Sequence, residues 1–170
     1  MKDNMGRDTE LFGRLDAFLP DDFEGPVIPS GSRLPNEVDV LGLPEGKWTA
    51  RGVYRMERVI PYGRQYGHRA LTDTSPSGEL LSFWGGKKRS VYLDLETTGL
   101  SGTRGAYAFL VGLGFNGEGS FRVVQLFMAG PAWERNWLRA LESELPENDY
   151  GLVTFNGRSF DLPILRIRHR

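Results

Sequence analysis

The chain has 170 residues, 39% of them hydrophobic and 12% aromatic, enough for one ordinary globular core. Its 21 Lys and Arg against 22 Asp and Glu give a formal net charge of −1, so bulk electrostatics favour neither a nucleic acid nor an anionic membrane. With no cysteine there is no disulfide and no thiolate metal site; any metal must take oxygen or imidazole ligands, which favours hard cations.

The charges are unevenly spread. They come to −5 over residues 1–50, +5 over 51–90, −4 over 91–150 and +3 over 151–170. Residues 1–50 divide into a short amphipathic helix, with Leu11, Phe12, Leu15, Phe18 and Leu19 at helical spacing, and an acidic arm from 20 to 44 that holds five of the ten prolines. Residues 51–71 alternate apolar residues with arginines around Pro61–Gly63, which predicts a β-hairpin with a basic face; His68 on it is expected at the surface. A polar loop, TDTSPSGE, and the basic stretch GGKKRS complete a second segment, 51–90.

From Val91 the pattern is more regular. Strands are predicted at 91–96, 107–115 and 120–128, the last two joined by the turn NGEG. A helix runs from Pro131 to Leu145 with Trp133, Trp137, Leu138, Leu141 and Leu145 on one face, then a buried strand at 150–155, then a helix from about Ser159 whose first turn accepts Pro163. The expected fold is α/β, in the order β-β-β-α-β-α. The longest apolar run, 106–115, is about half of what a membrane-spanning helix needs, and MKDNMGRDTE lacks the order of a signal peptide. A cytoplasmic protein without membrane contacts is expected.

Two carboxylates interrupt the apolar strand VYLDLETTGL. Asp94 and Glu96 are two residues apart, so they share one face of the strand with Cα atoms about 6.5 Å apart. Unanswered, they would repel each other and one would be driven to protonate. An arginine on a neighbouring strand could answer them, or the register could expose both. The segment FNGRSFDLPIL suggests another partner, because it sets Asp161 in the first turn of the last helix, just beyond a strand end. If strand 150–155 lies parallel to strand 91–96, the three acids converge, and three oxygen ligands suit Mg²⁺ or Mn²⁺, a pair of which suits phosphodiester hydrolysis.

The pair DLETTGL and FNGRSFDLPIL, about sixty residues apart, resembles the first two motifs of the DEDD, or DnaQ-like, 3′–5′ exonucleases of the ribonuclease H-like fold. The fuller wording, YAFLVGLG and LVTFNGRSFDLPIL, looks most like the YprB-type ribonuclease H-like family of bacteria, over residues 50–170. The resemblance implies a ribonuclease H-like mixed sheet over 91–170, with Asp94, Glu96 and Asp161 as catalytic metal ligands. It implies too that Thr97, Thr98 and Gly99 lie against the terminal nucleotide of a single-stranded end and that Asn156 helps to shape the site. In a nuclease the cationic stretches 51–90 and 151–170 would grip phosphates; otherwise they are solvated faces. Phe160, Leu162 and Leu165 are assigned to the core. The family pattern continues with a further acidic motif and a last Asp accompanied by a His or Tyr base, and Arg170 is reached before either; His169 stands too close to Asp161 to be that base. The fold is therefore expected to be truncated, with an open sheet edge that invites self-association or a partner. Two functions follow: a metal-dependent 3′–5′ exonuclease, or an incomplete module that binds nucleic acid or protein without cutting.

Overall fold

Alternating side chains give each strand one apolar face and one mixed face, and the chain buries the apolar faces by joining its long strands into one sheet. The computed structural model describes residues 43–75, 77–83, 85–87, 89–99, 106–155, 157 and 159–168. The helix expected at 11–19, most of the proline-rich arm, Asn156 and His169 lie outside them. In chain order the elements are β1 (Gly46–Ala50), β2 (Val53–Pro61), β3 (Gln65–Tyr66), β4 (Arg69–Ala70), α1 (Gly78–Phe83), β5 (Arg89–Thr97), β6 (Ala108–Gly117) and β7 (Ser120–Met128). A 3₁₀ turn at Pro131–Trp133 then leads into α2 (Glu134–Glu144), β8 (Tyr150–Thr154) and α3 (Asp161–Arg168).

The six-stranded sheet runs β1-β2-β7-β6-β5-β8, and β3 and β4 pair apart from it. Only β5 and β8 are parallel neighbours in it. From β5 to α3 the order is the β-β-β-α-β-α read from the sequence, a mixed α/β arrangement of the ribonuclease H-like kind.

The segment before it differs from expectation. Residues 51–71 do not form a free-standing hairpin about Pro61–Gly63. Instead β2 pairs along its whole length with β7, from Val53 opposite Met128 to Pro61 opposite Ser120, and β1 folds back onto β2. The reason lies in β2 itself, which buries Val53 on one face and Met56 and Ile60 on the other, more apolar surface than an isolated hairpin can cover. Only the tip, β3 and β4, remains as the small basic hairpin. The β1–β2 turn also needs its glycine: Gly52 has φ 74°, and a Cβ there would overlap the Trp133 ring.

The core lies on the face of the sheet that α2 covers. Val91 and Leu93 of β5, Val111 and Leu113 of β6 and Val124 and Leu126 of β7 pack there with Trp137, Leu138 and Leu141 of α2 and with Ile164 and Leu165 of α3. Trp137 is 1% exposed and donates its indole N–H to the Leu126 carbonyl at 2.8 Å, so its one polar atom is satisfied. At the far end of α2, Arg55 of β2 forks onto both carboxylate oxygens of Glu144 and pairs with Glu57 at 2.7 Å. Hydrogen bonds to Glu144 raise the Arg55 pKa, so this link persists over the working pH range. Among the described residues no helix is long and apolar enough to cross a membrane.

Trp137→Ala is expected to cost about 3–5 kcal/mol in urea unfolding, through lost burial and the cavity left behind. Trp137→Phe, which keeps a ring but strips the Leu126 carbonyl of its donor, should cost about 1–3 kcal/mol.

A candidate carboxylate site

Alternation along β5 turns Val91, Leu93 and Leu95 into the core and leaves Tyr92, Asp94 and Glu96 on the outer face. Asp94 and Glu96 are both exposed, opposite Gly112 and Leu110 of β6. Immediately after Glu96 the register slips: Glu96 faces Leu110 but Thr97 faces Ala108, so Phe109 is an extra residue that bends the strand end. The turn beyond is held to the start of β6. The Thr98 amide donates to the Tyr107 carbonyl at 3.0 Å, the Tyr107 amide donates to the Thr98 hydroxyl at 3.2 Å, and the Thr97 hydroxyl donates to the Gly99 carbonyl at 2.7 Å.

On its other side β5 is covered by β8 only as far as Leu93 opposite Thr154. The chain then turns sharply. The Gly157 amide donates to the Thr154 hydroxyl at 3.1 Å, and a Cβ at 157 would overlap that side chain, so this turn requires glycine. The Leu162 amide closes onto the Gly157 carbonyl at 2.8 Å, and α3 begins with Asp161 facing inward. Where β8 has ended, the Leu95 amide lies near enough to the Asp161 carboxylate to favour its charged form.

Asp161 is 6% exposed, and its Oδ2 has no hydrogen-bond partner among the described residues. Its pKa is raised, first by burial and then by the charge of Asp94; the N–H groups of Leu95 and of Asp161 itself act in the opposite direction. Asp94 and Asp161 are therefore close enough to feel each other. Glu96 shares the face of Asp94 one pleat further on. Among the described residues, no three Asp, Glu or His side chains are arranged to hold one metal ion. A buried carboxylate oxygen without a partner, beside a second carboxylate, is nonetheless a donor set that fits a hard divalent cation.

Two further placements differ from expectation. Phe160, expected in the core, is 43% exposed, because α3 spends its inward positions on Asp161, Ile164 and Leu165 and turns the preceding residue outward. Leu165 is buried as expected and Leu162 half-buried. Phe155 at the end of β8 is 93% exposed.

Sequence reasoning also missed the contacts that bring loop 71–75 onto the outer face. The Tyr92 hydroxyl donates to the Thr74 carbonyl at 3.0 Å, while the hydroxyls of Thr74 and Tyr62 both donate to Asn116 Oδ1, at 2.8 and 3.2 Å. The available signal was parity: Tyr92 and Asn116 fall on the same face as Asp94.

Comparison with known proteins points one way. Residues 91–170 match the family model described as RNase_H superfamily. Over 168 residues the chain is 30% identical to the YprB protein of Bacillus subtilis (strain 168), a match that covers 86% of this chain and 40% of that protein. The chain thus spans about two-fifths of the length of that curated relative. No solved structure matches.

The raised pKa of Asp161 sets the sign of a stability test. Whatever stability the neutral carboxyl gives is fully present below the ordinary carboxylate range and is lost as pH rises through the raised value. In EDTA at pH 7, Asp161→Asn should therefore melt above the parent chain, and the difference should shrink as pH falls below about 4. Mg²⁺ or Mn²⁺ at about a hundred times its dissociation constant should stabilise the parent by about 2.7 kcal/mol and Asp161→Asn by less.

Proposed function

Because residues 91–170 belong to the ribonuclease H superfamily, we propose that the chain carries the acidic site of a metal-dependent nuclease. Its substrate is a single-stranded DNA or RNA end, degraded from 3′ to 5′ by phosphodiester hydrolysis in the cytoplasm. One observation carries this reading: the Asp161 carboxylate is buried with one oxygen unpartnered and feels the charge of Asp94.

In this reading Asp94, Glu96 and Asp161 hold Mg²⁺ or Mn²⁺, with Glu96 reaching the pair by rotation of its exposed side chain. Bound divalent ions, two in a complete site, supply an activated water and charge stabilisation of the leaving oxygen. The chain's own residues orient the strand. Thr97, Thr98 and Gly99 form a turn whose backbone is fixed to Tyr107, so it can receive a terminal nucleotide without rearranging. Asn156, between the end of β8 and Gly157, helps to shape the same site.

A second reading, a module that binds nucleic acid or a protein without cutting, is favoured by the finding that no three such acids come together among the described residues. A labelled single strand incubated with Mg²⁺ or Mn²⁺ separates the two. The nuclease reading expects shortening from the 3′ end and a loss of about three orders of magnitude in Asp94→Asn, as several kcal/mol of charge stabilisation are removed. Equal, metal-independent background in both proteins would leave the binding module.

A further inference from the structure

The hairpin β3–β4 has no part in the core, yet it is tied to the face that carries the carboxylates. Its turn uses Gly67 at φ 59°, and its base is closed by the Gly63 amide on the Leu71 carbonyl at 2.8 Å and the Leu71 amide on the Arg64 carbonyl at 2.9 Å. Tyr62, on one side of this base, donates to Asn116, and Thr74, on the other, also donates to Asn116 and accepts from Tyr92. Tyr92 is two residues before Asp94 on the same face of β5, about 6.6 Å away along the strand. The hairpin is thus moored one pleat from the carboxylate row.

What the hairpin presents is cationic and aromatic. Residues 62–71 include Arg64 and Arg69 and no acid, and both arginines are exposed. Tyr66 is 52% exposed, with the Arg64 guanidinium 5.8 Å from its ring centroid. On the sheet beside it, Arg58 is exposed in the same cross-strand row as Tyr92, through Val123 and Gly114. None of the three arginines has an ion pair among the described residues. Asp73, two residues beyond the hairpin's base at Leu71, accepts from the amide and hydroxyl of Ser75. Unpaired guanidiniums around a solvent-facing aromatic ring, on the face of a carboxylate site, are the chemistry that binds a single strand by its phosphates and stacks one of its bases.

We propose that the β3–β4 hairpin, with Arg58, is a second anchoring point for single-stranded nucleic acid. It holds the strand a few nucleotides away from the end that lies at Asp94 and Asp161. The inference rests on the nucleic-acid reading of the same face and adds a length requirement to it. Strands too short to reach the hairpin lose its contribution, whereas longer ones gain two or three phosphate contacts and one stacked base.

The test is strand binding by the full chain in EDTA, followed by fluorescence anisotropy across a salt series. For a strand of about ten nucleotides, Arg64→Ala/Arg69→Ala should weaken binding and flatten the log–log salt slope by about 1.4, the slope lost with two single-strand phosphate contacts. Tyr66→Ala should weaken binding without changing that slope. Lys47→Ala/Arg139→Ala is the matched control: it removes two exposed cations from a groove of about 750 Å³ lined by residues of β1, β2 and α2, on the core side of the sheet, and should leave the slope unchanged. A dinucleotide should bind parent and variants alike. An unchanged slope in Arg64→Ala/Arg69→Ala, equal losses in the control pair, or no binding of the strand by the parent would each overturn the proposal. Cleavage in Mg²⁺ is scored separately, so a parent that binds with the expected slope but never cuts keeps the anchor and discards the nuclease.

Discussion

The arrangement of this molecule turns on one approach, that of the Asp161 side chain to the stretch of β5 around Leu95 that β8 leaves uncovered. A parallel strand that ends early leaves its neighbour with unpaired amides, and an unpaired amide near the core is costly. β8 stops at Thr154, opposite Leu93, and the chain returns to Leu95 not as backbone but as a side chain at the head of α3. That substitution brings a negative charge to within reach of Asp94. The early end of β8 and the placing of Asp161 within the field of Asp94 are therefore one event. It depends on Gly157, because only a residue without a side chain lets the turn close against Thr154.

The remainder of the fold holds β5 still. It lies between β6 and β8, with β7, β2 and β1 extending the sheet beyond β6. α2 lies across the core side of the sheet and is fastened at both ends: Asn136 donates to the Arg51 carbonyl at 3.0 Å near its start, and Glu144 meets Arg55 at its end. Arg122 joins that cluster at 3.6 Å from Glu144, with its guanidinium over the Phe115 ring. Such a partly buried network adds less to stability than its number of contacts suggests, but it fixes how the helix lies on the strands.

Much of this was legible in the chain. Period-two alternation located β5 to β8 to within a residue or two, and the spacing of Trp137, Leu138 and Leu141 located α2, because in both cases a single buried face dictated the pattern. The common face of Asp94 and Glu96 followed from parity alone. What did not follow was anything set by long-range pairing. Nothing local to Val53–Pro61 says that its partners lie 59 to 75 residues downstream in β7, and nothing in FNGRSFD says that Phe160 turns outward while Asp161 turns in. The extra residue at Phe109 was invisible for the same reason, since a bulge is a property of two strands.

Asn116 shows how fastening and gripping can obey different forces. The hydroxyls that moor the hairpin donate to a neutral amide oxygen, and dissolved ions barely weaken a hydrogen bond between uncharged groups. The guanidiniums at Arg64 and Arg69 work through long-range charge, which added electrolyte screens. A rise in ionic strength would thus loosen whatever anion the hairpin holds while the hairpin stays in its place.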